Sequence, residues 1–171
     1  MAVYFFTELD GVPQEQPQIK IGFSNNITRR QATLQTANPR EIALMGHIQS
    51  NGRQDDRAIE RDLHLLFVDR RGRGEWFRIY PEDVIAALHR YSSTAYLAVG
   101  DCAFEIIGYD RDGVPEFASP WPWGDFETSE FCPSCGWACG WTYSENVGCE
   151  YCIECGANEI DYEDGASYEG R

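Results

Sequence analysis

A compact α/β unit, followed by a short β-rich segment and a cysteine-held ribbon, is the architecture this sequence predicts. Three observations carry it. Residues 1–91 alternate strand-like and helix-like apolar patterns in the order ββαβαβα. The charge then changes character: 12 Lys and Arg stand against 12 Asp and Glu up to residue 91, and 2 against 16 beyond it. Finally, six of the seven cysteines lie between Cys132 and Cys155, arranged as two Cys-x-x-Cys pairs with Cys139 and Cys149 between them.

The elements follow in order. Residues 2–7 read as a strand, Asp10-Gly11-Val12-Pro13 with Pro17 as a loop, and residues 18–23 as the returning strand. Ser24 or Asn25 offers an N-cap for a helix through Ile27, Arg30 and Leu34, which ends before Asn38-Pro39 because a residue preceding proline disfavours the helical conformation. Residues 42–49 form a third strand. From about Gln54, Ala58, Ile59, Leu63, Leu66 and Phe67 recur at helical spacing until Gly72. Residues 76–79 are a short strand, and Pro81 opens a helix through Val84, Ile85, Leu88 and Tyr91.

After Ser92-Ser93, residues 96–99, 104–109 and 114–117 read as strands, the last two joined by the turn Asp110-Arg111-Asp112-Gly113. Ser119-Pro120-Trp121-Pro122-Trp123-Gly124 is a stiff aromatic linker, and the acidic tail beyond Asn158 is expected to be disordered. The expected boundaries are 1–91, 92–125, 126–158 and 159–171.

Cys132-Pro133-Ser134-Cys135-Gly136 and Cys152-Ile153-Glu154-Cys155-Gly156 each place two thiolates on one tight turn, with a glycine that lets backbone N–H groups fold toward sulfur. Cys132, Cys135, Cys152 and Cys155 are therefore the expected ligands of one structural Zn²⁺. The stretch between them folds back at Asn146-Val147-Gly148 as a hairpin, making a zinc ribbon. Cys139 and Cys149 are spare: they face each other, substitute as ligands, form a disulfide, or are small half-buried side chains. The competing interpretation of the whole cluster is a secreted disulfide framework. It is disfavoured because no secretory signal opens the sequence and Cys102 is unpaired by count.

With 171 residues and no apolar run near the roughly 20 needed to span a bilayer, the chain is expected to be soluble and cytoplasmic, with no membrane partner. The net charge of −14 opposes phosphate binding, yet the basic residues of the neutral half are segregated. Lys20, Arg29, Arg30 and Arg40 fall in an acid-free stretch, and Arg70, Arg71, Arg73 and Arg78 surround Gly72 and Gly74. Lys20, Arg29, Arg30, Arg40, Arg70, Arg71 and Arg73 are the candidate nucleic-acid contacts.

Ala2-Val3-Tyr4, Lys20-Ile21-Gly22, Arg30 eight residues past that glycine, and Glu60 on the next amphipathic helix resemble the GIY-YIG nuclease superfamily. The resemblance is closest to a branch of small phage and bacterial proteins in which Lys-Ile-Gly replaces Tyr-Ile-Gly. Leu34-Gln35-Thr36-Ala37-Asn38-Pro39, Glu60-Arg61-Asp62-Leu63-His64 and Gly74-Glu75-Trp76-Phe77 are also similar to that branch. The resemblance covers about residues 1–91 and none of the ribbon.

It implies a small mixed sheet flanked by helices and a divalent-metal-dependent DNA endonuclease. Tyr4 matches the tyrosine that orients or deprotonates the attacking water, with positive charge from Lys20 to help it. Arg30 matches the arginine that clamps the scissile phosphate. Glu60 matches the acidic ligand of a catalytic Mg²⁺ or Mn²⁺. Lys20 stands where a second tyrosine is usual, as a stabiliser of the phosphorane or as a base. His64 fills the role of a histidine that the family often carries four residues after its arginine, where this chain has Leu34. Glu75-Trp76-Phe77 reads as structural. DNA is the implied partner, with the ribbon for target or partner recognition. The alternative is a non-enzymatic binding module whose acidic half engages a protein partner, in the manner of a DNA mimic in phage–host conflict.

Overall fold

A computed structural model describes residues 1–9, 15–50, 52–99, 106–109, 112–113, 115–117 and 120–160 of the chain. Cys102, the loop at residues 10–14, the start of the strand expected from 104 and the acidic tail from 161 lie outside the described residues.

Five strands form the main sheet: β1 (Ala2–Leu9), β2 (Gln18–Ser24), β3 (Glu41–Ile48), β4 (Trp76–Arg78) and β5 (Ala95–Leu97). Their spatial order is β4-β2-β1-β3-β5, and every neighbouring pair is antiparallel. The sheet is thus antiparallel where a mixed one was expected. The reason is that β2 and β3, which run parallel to one another, are separated by β1, so no parallel pair is adjacent. Opposite Phe5 and Phe6 the register slips past Met45, a bulge in β3 whose carbonyl accepts from Ala98 N–H at 2.9 Å.

Side-chain alternation sorts β1 onto two faces. Val3 and Phe5, with Ile19, Ile21 and Phe77, join Leu63 of α2 (Arg53–Leu66), Phe67 at its C-cap, and Val84 and Leu88 of α3 (Pro81–Arg90) in the larger core. Tyr4 and Phe6 face Ile27 and Leu34 of α1 (Ile27–Thr36). Asn26, not Ser24 or Asn25, caps α1, its side chain accepting from Arg29 N–H at 2.9 Å. Ser24 still belongs to β2 and bonds Asn26 instead, its hydroxyl accepting from Asn26 N–H at 3.2 Å. Leu66, counted in the apolar stripe of α2, is exposed.

Beyond the helices, β6 (Ile106–Tyr109) pairs with β7 (Pro115–Phe117), and β8 (Thr142–Ser144) with β9 (Cys149–Tyr151). The β8–β9 hairpin turns at Gly148, whose φ is +77°. Strand β5 belongs to the main sheet, so the sheet continues past residue 91. The ribbon continues it further: Leu97 N–H donates to Gly136 O at 2.7 Å, Ala138 N–H to Ala95 O at 3.0 Å, and Tyr96 bridges Trp137. A Cβ on Gly136 would lie 1.9 Å from the Leu97 carbonyl oxygen, so only glycine allows this approach. Phe131 and Ala138 of the ribbon consequently share the larger core with Leu97 and Trp123.

Candidate functional site

Tyr4 is placed by its cross-strand partner. It sits opposite Gly22, and a Cβ there would come within 2.5 Å of the Tyr4 hydroxyl, so the missing side chain is the space the phenol occupies. Arg30 Nε, from α1 on that face, donates to the hydroxyl at 3.2 Å. Burial raises the phenol above its usual range, and the Arg30 bond and charge reverse only part of this. Gly22→Ala is expected to keep the strand but displace the tyrosine. The check is loss of the Arg30-dependent signal of the Tyr4 ring in an NMR spectrum that otherwise retains its dispersion.

Lys20, 7 % exposed, lies on the same face opposite Phe6. Its ammonium meets Glu75 Oε2 at 2.7 Å and lies 5.8 Å from the centre of the Trp76 ring. The cation touching Tyr4 is therefore Arg30, whereas Lys20 faces a carboxylate. Glu75 itself is pushed down: burial raises it, but the Lys20 bond and charge, with His64 and Arg30, outweigh that. The tripeptide read as structural thus divides: Phe77 is fully buried in the core, whereas Glu75 belongs to the charged cluster.

Glu60 and His64 come from α2. Burial raises Glu60 above its usual range, and the opposing charges of His64, Arg57 and Lys20 offset this in part while Glu75 adds to it. Glu60 also contributes to the field at Tyr4. His64 Nε2 lies 3.0 Å from Ile21 O, and its ring is 5.1 Å from that of Phe77. An open groove of about 480 Å³ beside them is lined by Phe23, Arg57, Glu60, Arg61, His64 and Arg71, among others. Tyr4, Lys20, Arg30, Glu60, His64 and Glu75 thus share one electrostatic neighbourhood. His47, directly opposite Tyr4 on β3, stacks on Tyr96 at 5.0 Å, and burial lowers it to about 4.

Several of the seven basic residues are engaged within the chain. Lys20 is paired with Glu75, Arg40 with Glu8 at 3.1 Å and Arg70 with Asp83 at 2.5 Å. Arg71 donates from Nε to Gly74 O at 2.7 Å, while Arg29 and Arg73 are exposed.

The cysteine pairs converge as two like turns. Cys132 N–H donates to Trp137 O at 2.9 Å and Gly136 N–H to Cys132 O at 2.8 Å; Cys152 and Ala157, then Gly156 and Cys152, repeat the pattern, both at 2.8 Å. Gly136 and Gly156 take φ of +77° and +79°. Backbone N–H groups of Trp137, Glu154, Cys155 and Ala157 point at sulfurs. The four Sγ atoms of Cys132, Cys135, Cys152 and Cys155 lie within 4.8 Å of one another, with Cys132–Cys155 and Cys135–Cys152 both at 3.8 Å. A tetrahedron with Zn–S of about 2.3 Å has sulfur–sulfur edges of about 3.8 Å, so the donor set fits a structural metal such as zinc. The six described cysteines are all free thiols, contrary to a disulfide framework. Cys139 is exposed and Cys149 buried, and neither belongs to the cluster. Among the described residues, no helix is long and apolar enough to cross a membrane.

Compared with known proteins, the chain matches one family model, described as the T5orf172 domain, over residues 1–92. No curated protein and no solved structure matches.

Proposed function

Since the chain belongs to the T5orf172 domain family, a nuclease-associated family whose domain is a nuclease-like or nucleic-acid-binding module, we propose that it is a divalent-metal-dependent DNA endonuclease of GIY-YIG type. The observation that carries this reading is the Arg30 guanidinium held on the Tyr4 hydroxyl at 3.2 Å, in a space that Gly22 keeps open. A phosphate entering there meets a bidentate donor beside a phenol, a pairing that can hold the phosphate and orient an attacking water.

In the reaction, a water oxygen forms a bond to phosphorus and releases its proton to solvent, as the bond to the 3′ oxygen breaks and that oxygen leaves with the bonding pair and takes up a proton. Arg30 and Lys20 neutralise charge growing on the phosphoryl oxygens. Tyr4 orients the water through its hydroxyl. The acidic ligand for a divalent ion is Glu60, a half-buried carboxylate engaged in no hydrogen bond or ion pair among the described residues; this suits Mg²⁺ or Mn²⁺, which take few carboxylates and retain waters. When bound, such an ion supplies charge for the leaving oxygen and lowers the energy needed to deprotonate water. His64, held on the Ile21 carbonyl, fixes the α2 side of the cleft. Residues 1–91 are the nuclease portion, 92–125 the connector, and 126–158 a zinc ribbon for target or partner recognition.

Glu60→Gln keeps the shape and removes the charge. It is expected to lower cleavage in Mg²⁺ or Mn²⁺ by about 100-fold or more. Equal rates for the two proteins across a metal titration count against Glu60 as the ligand.

The second reading, a non-enzymatic binding module for nucleic acid or a protein partner, is favoured by the neutralised basic residues. Lys20, Arg40 and Arg70 are spent on internal acids, and residues 92–171 carry 16 acids against 2 bases. Under that reading the acidic half engages a basic partner.

A further inference from the structure

The Lys20–Glu75 pair supports an assignment that rests on the nuclease reading above. We propose that Glu75 is a positioning residue of the site, fixing the Lys20 ammonium beside the Tyr4–Arg30 pair.

An ion pair between two flexible surface side chains would have little claim to such a role. This pair is built differently. Lys20 lies in mid-strand, with its stem buried. The backbone of Glu75 is fixed beside it: Ile21 N–H donates to Glu75 O at 3.1 Å, and the next residue, Trp76, pairs with Lys20 across β2 and β4. The turn carrying Glu75 is closed by Gly72 N–H on Trp76 O and Arg71 Nε on Gly74 O, both at 2.7 Å, with Gly74 at a φ of +65°.

The Glu75 backbone is therefore fixed, and although its side chain is 42 % exposed, its carboxylate constrains a buried lysine that otherwise samples many rotamers. An ammonium has three donors, so after one bond to Glu75 two are left for phosphoryl oxygens.

The charge of Glu75 reaches further than Lys20. It faces Lys20 from β2, His64 from α2 and Arg30 from α1. Glu60 in turn faces His64 and Arg57 on its own helix, Lys20 on β2 and Glu75, and Arg61 and Arg71 line the adjoining groove. Glu75 raises Glu60 and Tyr4 by repulsion.

The test compares wild type, Glu75→Gln and Glu75→Asp as full chains. Glu75→Gln is expected to lower kcat about 10- to 100-fold with little change in KM, because a misplaced donor costs the transition state more than binding. Glu75→Asp is expected to recover part of that loss. A readout independent of cleavage is acylation of Lys20 by an amine-reactive ester, followed by peptide mass spectrometry, which should accelerate in Glu75→Gln. A pair that only braces the sheet would lower thermal stability and leave kcat and KM of the folded protein unchanged, and that result overturns the proposal. Unchanged kcat with unchanged Lys20 labelling overturns it as well. If wild type leaves DNA intact, the nuclease reading falls separately; the labelling then decides, with faster labelling upholding the positioning of Lys20 and unchanged labelling refuting it.

Discussion

Cys135→Ser is expected to unfold residues 132–157 and loosen β5 while the strands around Val3 and Phe5 persist. Three of the four ligand cysteines belong to the ribbon's own buried cluster, which is Cys132, Trp137 and Cys152 with Tyr96 and Cys135 packed on it. Structural zinc in a small module contributes on the order of 10 kcal/mol, more than two three-residue strands can replace. Burial pushes the Cys135 and Cys152 thiols up, so without a metal these positions hold neutral sulfur and lose the charge that their backbone donors serve.

The damage is expected to cross into the sheet, because Gly136 and Ala138 bond Leu97 and Ala95, and Tyr96 donates to Glu154 at 2.7 Å. Hydrogen exchange checks this, with protection lost at 95–98 and 132–157 and retained at 3–7. Protection unchanged in Cys135→Ser, or no zinc by elemental analysis of the intact protein, contradicts the metal centre.

Arg30→Ala is expected to lower DNA cleavage by about 100-fold or more, the usual loss when a preorganised charge donor is removed from a transition state. It should do so without unfolding the chain, because α1 packs through Ile27 and Leu34 and Arg30 is only half-buried. Tyr4→Phe is the companion measurement. It deletes the hydroxyl that accepts from Arg30 and leaves the ring on Phe6, 4.4 Å away, so its loss reports orientation of the water and not packing. Circular dichroism and melting curves like those of wild type establish that both variants are folded. A fall in kcat with little change in KM assigns the loss to the transition state.

The order of elements was legible because each carried a local signal. Pro81 opens α3, Asn38-Pro39 closes α1, and the period of Leu63 and Phe67 marks α2. The cysteine cluster was legible for the same reason: spacing within each pair sets the turn. Long-range pairing was not. That β5 joins the main sheet and receives Gly136 depends on a contact between residues about 40 positions apart, and no window of sequence contains it.

The same limit applies within the candidate site. Lys20 and Glu75 are separated by 55 residues, and only the β2–β4 register reveals that Glu75 faces Lys20 while Phe77 enters the core. The Gly74-Glu75-Trp76-Phe77 motif was the available signal, and reading it as wholly structural overlooked that a turn residue and a strand residue serve different ends. His47 opposite Tyr4 was hidden likewise by a register that includes a bulge.

The most direct test of the central claim is incubation of the full chain with supercoiled, linear and single-stranded DNA in Mg²⁺, Mn²⁺ or EDTA, alongside Arg30→Ala and Glu60→Gln. The account predicts cutting of at least one DNA form by wild type in a divalent metal, abolished by EDTA and lowered about 100-fold in each variant. DNA left intact by wild type in every condition contradicts the nuclease reading in favour of the binding module, and cutting that survives both substitutions contradicts the site.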